Sequence, residues 1–448
     1  MANRRTHNLR AVLAVPAFRR LLGVRLGGQF SDGVFQAALA GSVLFNPDRQ
    51  ATPTAIALAA AVLVLPYSLV GPFAGVLLDR WSRRSVVVWT NLLRAVLVLP
   101  IAALVLAGDE GGLFFVATLV VIGLGRLLLS GLSAATPHVV ADERLVTANA
   151  VAGTAGSVAY SVGLGCALAL LRTVFPAGDS GYGALALLAP AGYVACAVLA
   201  RVFFARAQLG PDEVVPHRPG LAGEAMAVLR GMVDGVRHLG SARGAAYAMA
   251  AQAGFRVLFG ALALALLLLY RSAFRADDLT GVSTQLGLVF TAGAAGVLTA
   301  AAITPPVSRR IGGWRWVAAL LAAVAVAMPV FGLPLSPPLL VLLVLVVNIA
   351  GHGIKIVVDT MVQHECADAF RGRVFAVNDT VFNLAYVLGM VGVSAVLPAD
   401  GRSPALLIGS AAGYACLAGG YAVAAGRWAR SVGDDISEPG RLAVVAHH

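Results

Sequence analysis

The sequence predicts an all-α membrane protein with twelve transmembrane helices in two pseudo-symmetric six-helix bundles. Hydrophobic residues make up 59% of its 448 residues, charged residues only 12%, and the mean hydropathy is +0.83. This composition is typical of a chain that crosses a bilayer many times. About 20 apolar residues span a bilayer. Runs of this kind, numbered here as spans 1 to 12, are expected at residues 18–45, 54–78, 85–107, 113–136, 148–171, 181–204, 244–270, 282–304, 316–333, 338–361, 375–397 and 403–426.

A repeat relates the two halves of the chain. Three pairs of residues share an offset of 229 positions: Arg80 with Arg309, Arg144 with Arg373, and Asn149 with Asn378. Three matches at one offset, in two different loops, indicate an internal duplication. The expected division is a first bundle at 1–204, a cytoplasmic linker at 205–243, a second bundle at 244–426 and a cytoplasmic tail at 427–448.

The linker is predicted to contain a short amphipathic helix. Its first part is rich in proline, as a linker should be. Apolar residues then recur at helical spacing, at Ala222, Met226, Leu229, Val233, Val236 and Leu239. A helix with one apolar face and one charged face is expected to lie on the cytoplasmic surface of the membrane.

The distribution of arginines gives the expected orientation. With both termini in the cytoplasm, 23 arginines fall in cytoplasmic segments and 5 in external loops, and basic residues accumulate on the cytoplasmic side of membrane proteins. This topology accounts for the net charge of +11 without a nucleic-acid partner. We expect no cleavable signal peptide before span 1. The four cysteines form no CxxC pair, so neither a disulfide scaffold nor a metal site is expected.

A polar hairpin between spans 2 and 3 carries the most specific motif. Its residues are Gly75, Leu77, Asp79, Arg80, Arg83 and Arg84. The pattern resembles the corresponding loop of the major facilitator superfamily of secondary transporters, although Ser82 stands where that family usually has a second glycine. The resemblance implies the two-bundle fold and a cytoplasmic latch. In this latch Asp79 and its arginines would hold span 2 against the start of span 11 near Arg373.

Two further loops, at 138–149 and 371–378, resemble a bacterial efflux branch of that superfamily, which includes the enterobactin-exporter-like proteins. The resemblance implies a multi-pass protein of the bacterial inner membrane. Two efflux motifs are imperfect in this chain. The span 4 motif that starts at Arg126 is one residue longer than usual, and the glycine-rich span 5 lacks the antiporter proline.

Charges inside spans need a reason, because a charge in hydrocarbon costs a few kcal/mol or more. Asp32 is placed near the middle of span 1, with Gln29 and Gln36 beside it at helical spacing. Burial and a nearby arginine push the protonation of such a carboxylate in opposite directions. We therefore expect Asp32 to carry a coupling proton, modulated by Arg126 on span 4. A permanent Asp32–Arg126 bridge that only stabilises the first bundle is an equal alternative.

The other buried charges receive separate interpretations. Gln29, Gln36, Arg256 and Asn348 are the expected lining of a substrate cavity. Arg256 would favour an anionic or zwitterionic substrate, or it would cap a helix carbonyl. Lys355 and Asp359 are four residues apart and are expected to bridge along one helix, as a gate or as a structural pair. Arg94 on span 3 is expected to brace Asp79 or the contact between spans 2 and 3.

The expected function is proton-coupled export of a lipophilic or amphiphilic small molecule by alternating access. A drug, a siderophore-like metabolite or a lysolipid would fit spans that are mostly Ala, Val, Leu and Gly. Two alternatives stay open: a proton-coupled uptake symporter for a small metabolite, and a non-transporting membrane scaffold or receptor. Catalytic and phosphate-binding motifs are absent from the sequence, so no enzyme and no cofactor are expected. The expected partners are the substrate, protons and the lipid bilayer, and the protein is expected to be a monomer.

Overall fold

The structure, a computed structural model, contains helices joined by turns and irregular segments, and no strand, in the residues it describes. These are 11–44, 52–54, 56–58, 61, 64, 73, 81–109, 111–141, 144–176, 178–205, 208–210, 221–273 and 279–436. The helices, labelled here in chain order, are α1 Pro16–Leu39, α2 Arg83–Ala107, α3 Gly112–Ala135, α4 Leu145–Thr173, α5 Asp179–Ala186, α6 Ala189–Phe203, α7 Leu221–His238, α8 Arg243–Ala273, α9 Leu279–Ile311, α10 Gly313–Ala327, α11 Pro337–Glu365, α12 Asp368–Ser394 and α13 Pro404–Ile436. Ala40–Leu44 and Met328–Gly332 continue α1 and α10 as π-helical turns.

Within the described ranges, nine helical segments are long and apolar enough to cross a membrane. They coincide with predicted spans 3 to 7 and 9 to 12. Spans 1 and 8 are present as α1 and α9 but do not belong to these nine, and polar residues such as Arg25 and Asp32 make α1 less apolar. Span 2 lies mostly outside the described residues. An all-helical membrane protein is therefore confirmed, whereas the count of twelve spans stays a prediction.

The chain forms two compact units: residues 1–50 with 58–228, and residues 51–57 with 229–448. The predicted limits of the two bundles and the linker stay predictions. In the first unit α1 packs on α4 and α6, and α2 packs on α3 and α6. In the second unit α8 packs on α12, and α9 packs on α11.

Reciprocal glycines bring α1 and α4 into backbone contact in the first unit. A Cβ on Gly33 would overlap the carbonyl oxygen of Tyr160, and a Cβ on Gly163 would overlap that of Phe30. Only glycine fits such a crossing, because small residues let helix backbones approach closely.

The second unit repeats this arrangement between α8 and α12. A Cβ on Gly260 would overlap the carbonyl oxygen of Tyr386, and one on Gly389 would overlap that of Val257. Gly260 lies 227 positions after Gly33, and Gly389 lies 226 after Gly163. The loop residues share an offset of 229 instead. The difference of two or three positions is less than one helical turn of 3.6 residues, so the crossing in the second unit is displaced slightly along the helices.

The linker helix α7 leaves its apolar face uncovered. Met226, Leu229, Val233 and Val236 are each between 46% and 54% exposed. At the end of α7, the His238 ring stacks on Phe370 with 4.6 Å between ring centroids. Four residues of the predicted apolar stripe are therefore exposed, whereas Leu239 packs against the core of the second unit.

Candidate functional site

Four of the predicted site residues line one small cavity in the first unit. The cavity has a volume of about 60 Å³ and lies among α1, α2, α3 and α4. Its lining includes Gln29, Asp32, Gln36 and Arg126. The helical spacing of the α1 residues explains why they share a face. Arg126 reaches the same cavity from α3.

The carboxylate of Asp32 is paired with Arg94 of α2, which the sequence analysis assigned elsewhere. The Arg94 Nη2 donates to Asp32 Oδ1 and also to the hydroxyl oxygen of Tyr193, at 2.9 Å. The Tyr193 hydroxyl in turn donates to Asp32 Oδ1 at 2.9 Å. Arg94 therefore pairs with Asp32, whereas its two expected roles, at Asp79 or at the contact between spans 2 and 3, involve residues that lie mostly outside the described ranges. Its guanidinium lies deep in the unit, where a carboxylate offsets the cost of burying the charge.

The surroundings of the Arg94 side chain fit a guanidinium group. The residue is 2% exposed, and its guanidinium carbon lies 4.0 Å from the centroid of the Tyr193 ring, within the range of a cation–π interaction. A Cβ on Gly125 of α3 would lie only 3.2 Å from the Arg94 Nη2. Gly125 therefore leaves the space that the guanidinium occupies. Arg94 Nε and Nη1 have no hydrogen-bond partner among the described residues.

The size of the cavity limits what it can hold. A volume of about 60 Å³ exceeds the space that a water molecule needs, and the polar lining suits water. Sites for drug-sized molecules measure roughly 300–1,000 Å³. The geometry therefore suits water and protons rather than a lipophilic substrate.

Arg25, one turn before Gln29 on α1, is paired locally. Its Nε donates to Gln29 Oε1 at 3.4 Å, and its Nη1 donates to Ser133 Oγ at 3.3 Å. These two contacts hold the guanidinium against α1 and α3 within the first unit.

Of the latch residues, Gly75, Asp79 and Arg80 lie outside the described residues. Arg83 Nη1 donates to the carbonyl oxygen of Ala134 at 2.8 Å and also contacts His138. Arg84 Nη2 donates to the carbonyl oxygen of Arg201 at 3.0 Å. These two arginines tie the start of α2 to the ends of α3 and α6. The Ser82 hydroxyl, at the position of the missing glycine, accepts from the backbone N–H of Ser85 at the start of α2.

In the second unit, the other latch and gate residues form ion pairs. The Nζ of Lys355 lies 3.2 Å from Asp359 Oδ2, which confirms the predicted bridge along one helix. Arg373 Nη1 lies 3.9 Å from Asp234 Oδ2 on the linker helix α7. Neither pair is fully buried.

The two predicted substrate residues of the second unit have different surroundings. Asn348 Nδ2 donates to the carbonyl oxygen of Val344 at 2.8 Å, and its side chain packs on Gly296 of α9. Arg256 Nε donates to the carbonyl oxygen of Phe382 at 3.3 Å. Three aromatic rings surround the Arg256 guanidinium. The second unit has a cavity of about 550 Å³ among α9, α10, α11 and α13, and neither Arg256 nor Asn348 lines it.

Sequence reasoning therefore found the acid and missed most of its partners. Tyr193 and Gly125 carried no signal, because a buried tyrosine and a glycine are ordinary in an apolar span. Arg94 was recognised as a buried charge, and its depth in span 3 was the signal that could have linked it to Asp32.

The fold is that of a multi-pass helical membrane protein. The family model of the Major Facilitator Superfamily matches residues 26–390, so the chain belongs to this superfamily. It is 40% identical over 403 residues to an uncharacterized MFS-type transporter of Mycobacterium tuberculosis, and the match covers 90% of each chain. The same figures hold for an uncharacterized MFS-type transporter of Mycobacterium bovis.

Solved structures support the fold. A variant of the peptide transporter POT, solved with alafosfalin, has a TM-score of 0.67 at 14% identity, over 92% of this chain and 95% of that one. The human organic anion transporter MFSD10 has a TM-score of 0.56 at 17% identity, over 92% and 99%. At such identities the likeness concerns the fold alone.

Proposed function

We propose that this protein is a proton-coupled exporter of a lipophilic or amphiphilic small molecule, and that Asp32 is the residue that binds the coupling proton. Membership of the superfamily supports transport. The observation that supports coupling is the contact of Asp32 with both Arg94 and Tyr193 at a cavity that suits water. The export direction follows the resemblance of the loops at 138–149 and 371–378 to an efflux branch.

The coupling follows from the buried charge of Arg94. While Asp32 is ionised, it balances the guanidinium, and Tyr193 bonds to both groups. Protonation of Asp32 removes the only counter-charge that the described residues provide by a salt bridge to Arg94. An uncompensated buried charge costs several kcal/mol. Proton binding therefore favours a conformation in which water reaches Arg94, and this link between protonation and conformation is what alternating access requires.

Asp32→Asn tests the proposal. Everted membrane vesicles are loaded with acridine orange and energised so that they acidify inside, and a panel of amphiphilic drugs, lysolipids and aryl carboxylates is added. A substrate exchanged for protons restores the quenched fluorescence in wild-type vesicles. We expect Asp32→Asn to abolish this response, since neutral Asn cannot carry the proton.

Asp109→Asn is the matched control, because Asp109 lies in an exposed loop and its carboxylate accepts, among the described residues, only the N–H of Gly111. It is expected to respond like the wild type. An unchanged response with Asp32→Asn contradicts the role of Asp32. Uptake of a panel compound with protons, measured in right-side-out vesicles, supports the symporter alternative instead.

A further inference from the structure

Arg256 of α8 lies in a cage of aromatic rings in the second unit. Its guanidinium carbon is 4.0 Å from the centroid of Phe382, 4.5 Å from that of Tyr386 and 5.2 Å from that of Phe259. The rings come from α8 and α12, the two helices that cross at the glycine contact. Cation–π interactions of this kind hold the group in place.

The charge of Arg256 has no counter-charge in the described part of the chain, where it forms no salt bridge. The acid of the Lys355–Asp359 pair is already held by Lys355. Lys355 itself lies 5.7 Å from the Phe382 ring, so a second cation borders the same cage. Asp379, on α12 three residues before Phe382, is exposed and does not pair with Arg256. A partly buried cation without an acid is costly, which indicates that something else supplies a negative charge.

Hydrogen-bonding capacity is also unused at this place. Of the guanidinium nitrogens, only Nε donates to a protein group among the described residues, the carbonyl oxygen of Phe382. Gln252 lies one helical turn before Arg256 on the same face of α8. It is 2% exposed, and neither atom of its amide has a hydrogen-bond partner in the described chain. Leaving such a buried group unsatisfied costs about 1–3 kcal/mol.

In the first unit, an arginine and a glutamine at the corresponding positions form hydrogen bonds within the protein. In the register of the glycine crossing, an offset of 227, Arg25 and Gln29 correspond to Gln252 and Arg256. Arg25 bonds to Gln29 and to Ser133. Gln252 has no such bond. The unused capacity is therefore a feature of the second unit and does not follow from the helix crossing.

We infer that the Arg256 cage is a binding site for an organic anion that joins one carboxylate to a flat apolar body. The inference rests on the proposed transport function and narrows its substrate class. The terminal nitrogens of Arg256 match the fork of a carboxylate, and charge-assisted hydrogen bonds of this kind are strong. The rings of Phe382 and Tyr386 offer an apolar surface for stacking. Gln252 supplies a further donor and acceptor.

A series of ligands with one apolar body and three charges tests the inference. The full-length protein in detergent is titrated with 2-naphthoate, with neutral 2-naphthamide and with cationic 2-naphthylmethylamine, and the thermal shift gives the affinities. We expect 2-naphthoate to bind at least about tenfold more tightly than 2-naphthamide, which corresponds to about 1.4 kcal/mol. Arg256→Gln is expected to abolish this preference.

Two other variants keep the test decisive. Arg256→Lys replaces Arg256→Gln in the test if the latter does not fold. It retains the charge without the two parallel donors of the guanidinium, and we expect a smaller preference for 2-naphthoate over 2-naphthamide. Gln252→Leu removes the unsatisfied amide; we expect weaker binding of 2-naphthoate even if the variant is more stable. Arg25→Gln is the matched control in the first unit, and it should leave the preference for 2-naphthoate unchanged.

Equal binding of the acid and the amide by the wild-type protein overturns the inference, as does a preference that survives Arg256→Gln. The binding measurement needs no proton gradient. Selective binding of 2-naphthoate without any proton exchange in vesicles would therefore reject the proposed coupling and keep the anion site. Proton exchange with neutral compounds only would keep the proposed coupling and reject the anion site.

Discussion

The two units share one helix crossing and differ in the chemistry built on it. Gly33 and Gly163 bring α1 and α4 together in the first unit, as Gly260 and Gly389 bring α8 and α12 together in the second. At the position that corresponds to Asp32, with an offset of 227, the second unit has Phe259. Any side chain at these glycines would separate the helices in either unit, whereas the polar residues beside the crossing differ between the two units.

The divergence divides the charges between the units. In the first unit, Asp32 balances the charge of Arg94 and Tyr193 bonds to both, and these three residues are called here the closed set. In the second unit, the Arg256 guanidinium is surrounded by rings and has no carboxylate partner among the described residues. The closed set suits a proton, because protonation changes the charge of Asp32. The unpaired charge of Arg256 suits a ligand that carries a negative charge.

The largest structural effect is expected at the shared crossing. Gly163→Ala and Gly389→Ala each place a methyl group against a backbone oxygen, so each should cost more than the roughly 1–3 kcal/mol of ordinary overpacking. We expect little monodisperse protein from either variant in size-exclusion chromatography. Gly165→Ala and Gly392→Ala are controls on the same helices, since a Cβ there meets nothing within 4 Å. Loss of folded protein with only one of Gly163→Ala and Gly389→Ala would contradict a helix crossing shared by the two units.

A smaller effect is expected from removing one hydroxyl group in each unit. Tyr193→Phe deletes the oxygen that bonds to Asp32 and to Arg94, and should lower the melting temperature because a buried hydrogen-bond network loses about 1–3 kcal/mol. Tyr421 of α13 has a buried hydroxyl without a hydrogen-bond partner in the described chain. Tyr421→Phe should therefore be neutral or slightly stabilising. A melting temperature that changes equally in both variants would contradict the closed set of the first unit.

The smallest effect concerns the linker helix α7, which we propose lies on the membrane surface. Spin labels are placed at Leu229 and at Arg230 in a chain whose exposed cysteines, Cys166 and Cys416, are replaced by alanine. The label at 229 should be more accessible to oxygen, and the label at 230 to a water-soluble nickel chelate, because only the apolar face of an amphipathic helix enters the lipid boundary. Equal accessibility at both positions would contradict a membrane-bound face.

Part of the candidate site was predictable because it lies on single helices. The spacing of Gln29, Asp32 and Gln36 places them on one face of any α-helix, and the structure has all three in one cavity. The bridge between Lys355 and Asp359 follows from the same periodicity. Such relations need no knowledge of how helices are arranged.

The partners of Asp32 were not predictable in this way. Arg94 and Tyr193 are 62 and 161 positions away along the chain. Which cation meets which acid depends on the rotation and depth of each helix. Apolar spans that are mostly Ala, Val and Leu determine neither, since many rotations bury similar surfaces.

The sequence by itself determined that the chain is a helical membrane protein, where most of its spans begin and end, and which polar residues share a helix face. The reason is that bilayer thickness and helical periodicity act locally along the chain. Only the tertiary structure decided that Arg94 balances Asp32 and that Arg256 has aromatic rings around it instead of an acid. Those contacts join helices distant in sequence, and glycine crossings between backbones set how closely the helices approach.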